Sequence, residues 1–273
     1  MNIWRNSNAN SGLNALELSV SDSGYCRLDA DWFSENVCSP YSRLYLVESG
    51  EGVLEHGGQI LTMVPGFVYL VPAGLRFSYR CEDSMTKLFF HVTVLKPDGY
   101  DLFRGFDRIG VAPLPPERLE TILRLYRVET MANNLLLKQH IYQILGDFLE
   151  TYQFGREELT VYSRHVQETI LFIRENLSAK LNVEELAQRL FVSKSFLSEK
   201  FRQEVGVTLG KYIDDQLMAA AQWQLLKTKA SVGEISNALG YCDQFYFSRR
   251  FKQLCGETPL QYRKKIRAVD HWT

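Results

Sequence analysis

Cysteine and histidine are scarce here, and neither is grouped. The 273 residues include five cysteines (Cys26, Cys38, Cys81, Cys242 and Cys255) and five histidines. No two cysteines form a C-x-x-C pair, and an odd, scattered set fits a reducing cytoplasm better than a disulfide framework. Long apolar runs are missing too. The longest, Leu61 to Leu75, is broken by Pro65, Gly66, Pro72 and Gly74 and is too short to span a membrane. The first fourteen residues, Met1 to Asn14, are polar and Asn-rich, without the apolar core of a signal peptide. No metal-ligand set and no general acid/base pair is visible, so no catalytic residue, no metal and no cofactor are expected. A cytoplasmic protein that does not meet the membrane is expected instead.

Net charge is also nearly absent, at −1, but it is divided unevenly. Residues 161–273 carry 17 Lys and Arg against 12 Asp and Glu, whereas residues 1–160 carry 14 against 20. A basic half beside an acidic half points the C-terminal half toward a polyanion. With 45% hydrophobic and 23% charged residues, the chain has the composition of an ordinary soluble protein of one or two domains.

From about Leu16 to Leu95 short strands alternate with turns. Leu44–Val47, Gly52–Leu54, Phe67–Val71 and Leu88–Val94 are rich in β-branched and aromatic residues. Ser49-Gly50, Gly57-Gly58, Pro65-Gly66 and Pro72-Ala73-Gly74 separate them. That spacing predicts an all-β sandwich or small barrel. Lys96 to Pro116 reads as irregular. Helical spacing then returns in Leu119, Ile122, Leu123 and Tyr126, and in Leu137, Ile141, Ile144, Leu145, Phe148 and Leu149, with a break expected at Asn133-Asn134. This helical pair is expected to pack on the β domain and to offer a spare apolar face to a second copy of the chain, giving a homodimer. Phe154 to Tyr162 reads as a linker, and a helix bearing Val166, Ile170 and Ile173 is expected to start near Ser163.

The last third says one thing twice. Val183-Glu184-Glu185-Leu186-Ala187-Gln188-Arg189-Leu190 is echoed by Val232-Gly233-Glu234-Ile235-Ser236-Asn237-Ala238-Leu239. Leu197, Phe201, Gly206, Thr208 and Tyr212 are echoed by Phe247, Phe251, Gly256, Thr258 and Tyr262. The second copy holds one extra residue in its central turn. Each copy opens with capping-box spacing, Asn182 to Glu185 and Ser231 to Glu234. A short helix follows, with a buried stripe at Leu186, Ala187 and Leu190, or at Ile235, Ala238 and Leu239. After a turn, Ser193 and Asp243 cap second helices over about Lys194–Glu204 and Gln244–Leu254. Their buried sides are Leu197, Phe201 and Val205, and Phe247, Phe251 and Leu254. This pattern predicts two helix-turn-helix modules, each with a recognition helix for the major groove. Arg249 suits guanine, Gln244 adenine and Phe245 a thymine methyl, and Glu199 suits cytosine N4. Lys194, Lys200, Arg202, Arg250 and Lys252 suit phosphates.

The second copy carries Glu234-Ile235, Leu239-Gly240-Tyr241, Tyr246-Phe247-Ser248-Arg249-Arg250-Phe251-Lys252, Gly256-Glu257-Thr258-Pro259 and Tyr262-Arg263. These motifs, over about residues 165–267, resemble the signature of the AraC/XylS family of bacterial transcription regulators. The resemblance implies a linker helix at about Thr208 to Lys227. It implies base contacts from Ser195, Ser198 and Glu199 in the first module and from Gln244, Phe245, Tyr246 and Arg249 in the second. It also implies double-stranded promoter DNA and RNA polymerase as partners.

The segments around Gly50-Glu51-Gly52-Val53-Leu54 and Val64 to Pro72 are similar to the cupin-like effector domain of the same family. A metal-holding cupin needs a His-x-His pair; here Leu54-Glu55-His56-Gly57 has one histidine, and Leu75, Arg76 and Phe77 stand where a later ligand is usual. The mouth of the barrel is therefore expected to take a small organic effector. Arg43, Glu48, Arg76, Tyr79 and His91 are its polar candidates, and Trp32, Tyr45 and Phe90 its walls. A sugar suits that mixture, and Arg76 equally suits a carboxylate. The expected fold class is α+β and multidomain. A cupin-like effector domain spans 1–95, a helical dimerisation region 96–153, a linker 154–162 and a DNA-binding domain 163–273. The function expected is a DNA-binding transcription regulator, an activator by analogy. The alternatives are a regulator without a ligand, a cupin-type enzyme with accessory helices, and a module that binds protein.

Overall fold

Alternating side chains decide the N-terminal architecture. Nine strands are present among the described residues: β1 (Glu17–Leu28), β2 (Phe33–Val37), β3 (Ser42–Gly50), β4 (Gly52–His56), β5 (Gln59–Met63), β6 (Phe67–Val71), β7 (Phe77–Arg80), β8 (Met85–Leu95) and β9 (Gly110–Pro113). The structure, a computed structural model, describes residues 16–155 and 162–270, the last five by their backbone alone. The stretch Met1 to Asn14 and most of the expected linker 154–162 lie outside the described residues. The chain divides into two units near residue 157.

The strands form two antiparallel sheets, ordered β1-β8-β3-β6-β9 and β2-β7-β4-β5. No ladder joins the two sheets among the described residues, so the expected closed barrel is a two-sheet sandwich. Leu44, Leu46, Val68, Leu70, Leu88, Phe90 and Val92 point away from the second sheet and pack under two helices. These helices are α1 (Pro116–Arg127) and α2 (Met131–Thr151). Tyr45, Val47, Tyr69 and Val71, one residue out of phase, point between the sheets. The five-stranded sheet is thus covered on both faces, which is why its central strands read as near-continuous apolar runs.

Three boundaries differ from expectation. Ser49-Gly50 ends no strand early, because β3 continues to pair through Gly50 with Met85. Gly50 is required there: its φ is +72°, and a Cβ would lie 2.0 Å from the Ser84 carbonyl oxygen. The irregular stretch 96–116 contains β9, which pairs with β6. Asn133-Asn134 do not break the helical pair. They sit in the first turn of α2, where the Asn133 N–H donates to Thr130 Oγ1 at 3.0 Å and its side chain donates to the Val128 carbonyl at 2.7 Å. The break is Val128–Thr130, with Thr130 as the cap.

The C-terminal unit is helical: α3 (Arg164–Glu175), α4 (Val183–Arg189), α5 (Lys194–Val205), α6 (Leu209–Lys227), α7 (Val232–Ala238), α8 (Gln244–Cys255) and α9 (Pro259–Asp270). Val166, Ile170 and Ile173 are buried on α3 as expected. Each module is locked to the helix that follows it by the same edge-on ring contact, Phe201 to Tyr212 at 5.2 Å and Phe251 to Tyr262 at 5.4 Å. Two inward positions are corrected. Ala238 is exposed and Ser236 buried, because Ser236 is the true counterpart of Ala187. Leu254 is exposed and Cys255 buried, one full turn after Phe251. Leu190 and Val205 are half-buried. No described helix is long and apolar enough to cross a membrane.

Candidate nucleic-acid interface

The two modules repeat their caps as well as their cores. In the first, the Glu185 N–H donates to Asn182 Oδ1 at 2.9 Å. In the second the box is complete. The Glu234 N–H donates to Ser231 Oγ at 3.2 Å, and the Ser231 N–H donates back to Glu234 Oε2 at 2.6 Å. Those returning bonds hold the Glu234 carboxyl below its ordinary range. The turn then needs one left-handed residue. Gly240 supplies it in the second module, where a Cβ would meet Ser178 Oγ at 2.0 Å. In the first, Phe191 adopts φ +54° and stands 97% exposed.

The recognition helices α5 and α8 start at fixed residues. Ser193 Oγ accepts from the Phe196 N–H at 3.1 Å. Asp243 accepts from the Phe245 and Tyr246 N–H groups at 3.0 and 2.9 Å. From residue 193 to 203 the pattern of burial is identical to that from 243 to 253. Ser195, Glu199, Gln244, Phe245, Tyr246 and Arg249 are exposed, and Ser198 is half-buried. All seven expected base-contacting residues therefore lie on the solvent side of their helices.

The expected phosphate contacts divide. Arg202 and Lys252 are exposed. Lys200 and its counterpart Arg250 turn inward along their modules. Lys200 pairs with Glu204 at 3.0 Å. The Arg250 guanidinium pairs with Asp214 of α6 and donates to Gln253 at 2.9 Å. Arg250 thereby ties α8 to α6 rather than standing free for a phosphate.

Lys194 meets Glu184 of α4 at 2.9 Å. The counterparts of that pair in the second module are Gln244 and Gly233. A Cβ on Gly233 would come within 2.6 Å of Gln244 Oε1. The side chain at this position of the first helix thus sets where the first residue of the recognition helix lies. Sequence reasoning missed Glu184 and Gly233, although the repeat aligns them. Gly233→Ala is expected to displace the Gln244 amide, the end of a flexible side chain, and to change base preference at one position. Stability should stay within about 0.5 kcal/mol, and binding to a panel of single-base variants of a bound duplex measures both.

The expected effector residues also divide. Trp32, Arg43, Tyr45, Tyr79 and His91 come together between the two sheets, all buried. Arg43 donates to Ser39 Oγ at 2.8 Å, Tyr41 Oη at 3.1 Å and Tyr45 Oη at 3.4 Å, and lies 3.2 Å from His91 Nε2. Three residues do not join them. Phe90, adjacent to His91, points to the opposite face of β8 and meets Tyr126 edge-on. Glu48 accepts from the Tyr25 hydroxyl at the rim of the five-stranded sheet. Arg76 is exposed in the turn before β7.

Lys87 was not anticipated. Its side chain is buried between the sheets, with Nζ 3.7 Å from the ring centres of both Trp32 and Tyr45. Burial pushes its ammonium down to about 7, while the two ring faces act in the opposite direction. The unfolded chain holds this proton to far higher pH. Folding therefore carries a full penalty below pH 7 that is relieved as pH rises from about 7 toward 10.5. Lys87→Met is expected to melt higher than the parent at pH 6. The gain should shrink by about 1.4 kcal/mol per pH unit across that window, which melts at pH 6 and pH 9 will measure.

A helix-turn-helix domain family matches residues 186–265. The raffinose operon transcriptional regulatory protein RafR of Pediococcus pentosaceus is 29% identical over 258 residues, covering 88% of this chain and 91% of RafR. The regulatory protein SoxS of Escherichia coli K12 is 31% identical over 105 residues, covering 38% of this chain and 98% of SoxS. The chain belongs to the AraC/XylS family. A crystal structure of ToxT from Vibrio cholerae superposes with a TM-score of 0.53 at 12% identity, covering 92% of this chain and 98% of ToxT. That likeness shows the shared order of a β-rich unit followed by a helical one. As a member of this family the chain is a DNA-binding transcription regulator and not an enzyme.

Proposed function

We propose that this regulator reads promoter DNA with two modules of unequal strength, under control of a small organic effector held by its N-terminal unit. One observation carries the inequality. The outward faces of α5 and α8 match position for position in burial, yet Glu199 stands in the first where Arg249 stands in the second. Glu184 neutralises Lys194 in the first, where the second has Gly233 and Gln244. Arg202 and Lys252 are matched in exposure, so Arg249 in place of an acid gives the second module most of the attraction to phosphates and bases. The first contributes register and promoter-specific adjustment.

Within the N-terminal unit, residues 1–95 are the sensor and residues 96–153 join two copies through α2. Residues 163–273 bind DNA. A sugar is the favoured effector, supported by RafR, whose name ties it to a raffinose operon. Effector binding shifts the population of dimer arrangements and so changes how the paired modules meet the promoter. The protein acts in the cytoplasm as an activator in contact with RNA polymerase. Mobility-shift titration with duplex from upstream of its neighbouring genes tests this. Binding should be sequence-preferring, steeply salt-dependent and altered by raffinose. Binding that is indifferent to sequence and salt would overturn it.

A further inference from the structure

We infer that the ion pair between Asp214 of α6 and Arg250 of α8 is a specificity determinant, one that fixes the spacing between the two half-sites the modules read. The inference rests on the proposal that both modules touch the duplex. It goes beyond that proposal by naming the residues that set their separation.

One difference between the two copies decides where a cation goes. Lys200 and Arg250 are counterparts in the repeat. In the first module Glu204 follows Lys200 by four residues and closes an ion pair within α5 at 3.0 Å. Glu204 also accepts from the Ser163 N–H at 2.7 Å, which seats α5 on the start of α3. In the second module the residue four beyond Arg250 is Leu254, which has no side-chain acceptor. Arg250 therefore takes its carboxylate from outside the module, and Asp214 of the linker helix supplies it. Both side chains are less than a third exposed.

The place of Asp214 on α6 gives the pair its leverage. Tyr212, two residues earlier, packs edge-on against Phe201 of the first recognition helix at 5.2 Å. Two residues turn an α-helix by about 200°. One turn of α6 thus holds α5 on one side and α8 on the other. The second module has another hold at the far end of α6, where Arg263 of α9 donates to the Leu225 and Ala230 carbonyls at 3.2 and 2.5 Å. The two holds, at Asp214 and Leu225, lie about 16 Å apart along the helix axis. Leu217, Met218, Ala221 and Leu225 are buried on α6 and keep it in the core without the ion pair. Loss of the pair therefore leaves the second module attached but able to swing about the Arg263 end. One extra base pair between half-sites moves the second by about 3.4 Å and turns it by about 35°. A module held at two points resists that displacement, and a module held at one follows it.

The test uses the full chain and the duplex that the parent selects from a randomised library. The distance between the half-sites is lengthened and shortened by one base pair. Each form is titrated with the parent, Asp214→Asn, Arg250→Ala and Arg250→Lys. Ratios between spacings cancel the change in overall affinity that altering one charge brings. The parent should prefer one spacing. Asp214→Asn, which keeps the shape of the side chain, and Arg250→Ala should each reduce that preference about two- to fivefold. That is the factor a partly exposed ion pair supplies. The half-site sequences should stay as they were. Arg250→Lys, which keeps a cation as Lys200 does in the first module, should retain most of the preference. An Asp214→Asn profile equal to the parent's, or a parent indifferent to spacing, overturns the inference and leaves the two-module reading standing. So does relaxation in Arg250→Ala alone with the salt slope reduced by about one, which would make Arg250 a phosphate contact. A parent that binds a single half-site as tightly as two removes the two-module reading itself, and the inference with it.

Discussion

Replacing Gln244 and Arg249 together by alanine is expected to weaken binding to a cognate duplex by about a hundredfold or more, with almost no change in stability. Both side chains are exposed on α8, and neither belongs to the Phe247, Phe251 and Tyr262 core that holds the module. A well-aligned contact to a base edge contributes about 1–3 kcal/mol of discrimination. The loss should therefore be concentrated in specific binding, leaving the weak, salt-dependent affinity for any duplex nearly intact. Lys252→Ala should behave differently, lowering affinity for all sequences alike and reducing the salt slope by about one. The counterpart change in the first module, Ser195→Ala with Ser198→Ala, should cost much less. Competition titration against a scrambled duplex separates these outcomes.

Met131→Asp with Leu135→Asp is expected to convert the proposed dimer to a monomer and to lower affinity for a two-site operator by roughly 10²–10⁴-fold. The estimate is that of linking two binding modules on one assembly. Both side chains point away from the core that α2 makes with Leu137, Ile141, Ile144, Leu145 and Phe148, so the N-terminal unit should fold as before. Sedimentation velocity and melting of the same preparation check the two halves of this expectation. Unchanged mass together with unchanged operator affinity would remove α2 from the interface.

The DNA-binding unit was legible because several independent signals agreed at each step. The repeat, the caps at Asn182, Ser193, Ser231 and Asp243, and the apolar stripes all specified the same helices. The errors there were of one or two residues, Leu254 for Cys255 and Ala238 for Ser236, and both vanish when the two copies are aligned strictly. Which outward cations were tied up was not legible. Arg250 finds Asp214 across 36 residues, and no local pattern announces that pair.

The N-terminal unit was legible as strands but not as faces. In β8, both Phe90 and His91 are buried, on opposite sides of one sheet. A continuous apolar run gives no phase from which to assign them. Lys87 escaped notice for a related reason. A lysine in the strand Met85–Leu95 reads as a solvent-facing residue, and only the placement of Trp32 and Tyr45 around it shows otherwise. Strand spacing left a sandwich and a small barrel both open, and the barrel was implied only by the resemblance to a cupin-like domain. Closure depends on which strands pair, and that is set by contacts distant in sequence.

Selection of bound duplexes from a randomised library, carried out in parallel with the parent and Arg249→Ala, tests the unequal two-module reader most directly. The parent should enrich two half-sites about one helical turn apart. One half-site should be strongly defined and contain a guanine column, and the other weakly defined. Arg249→Ala should erase that guanine while leaving the weaker half-site as it was. Two equally defined half-sites, a motif indifferent to Arg249, or no enrichment at all would contradict it.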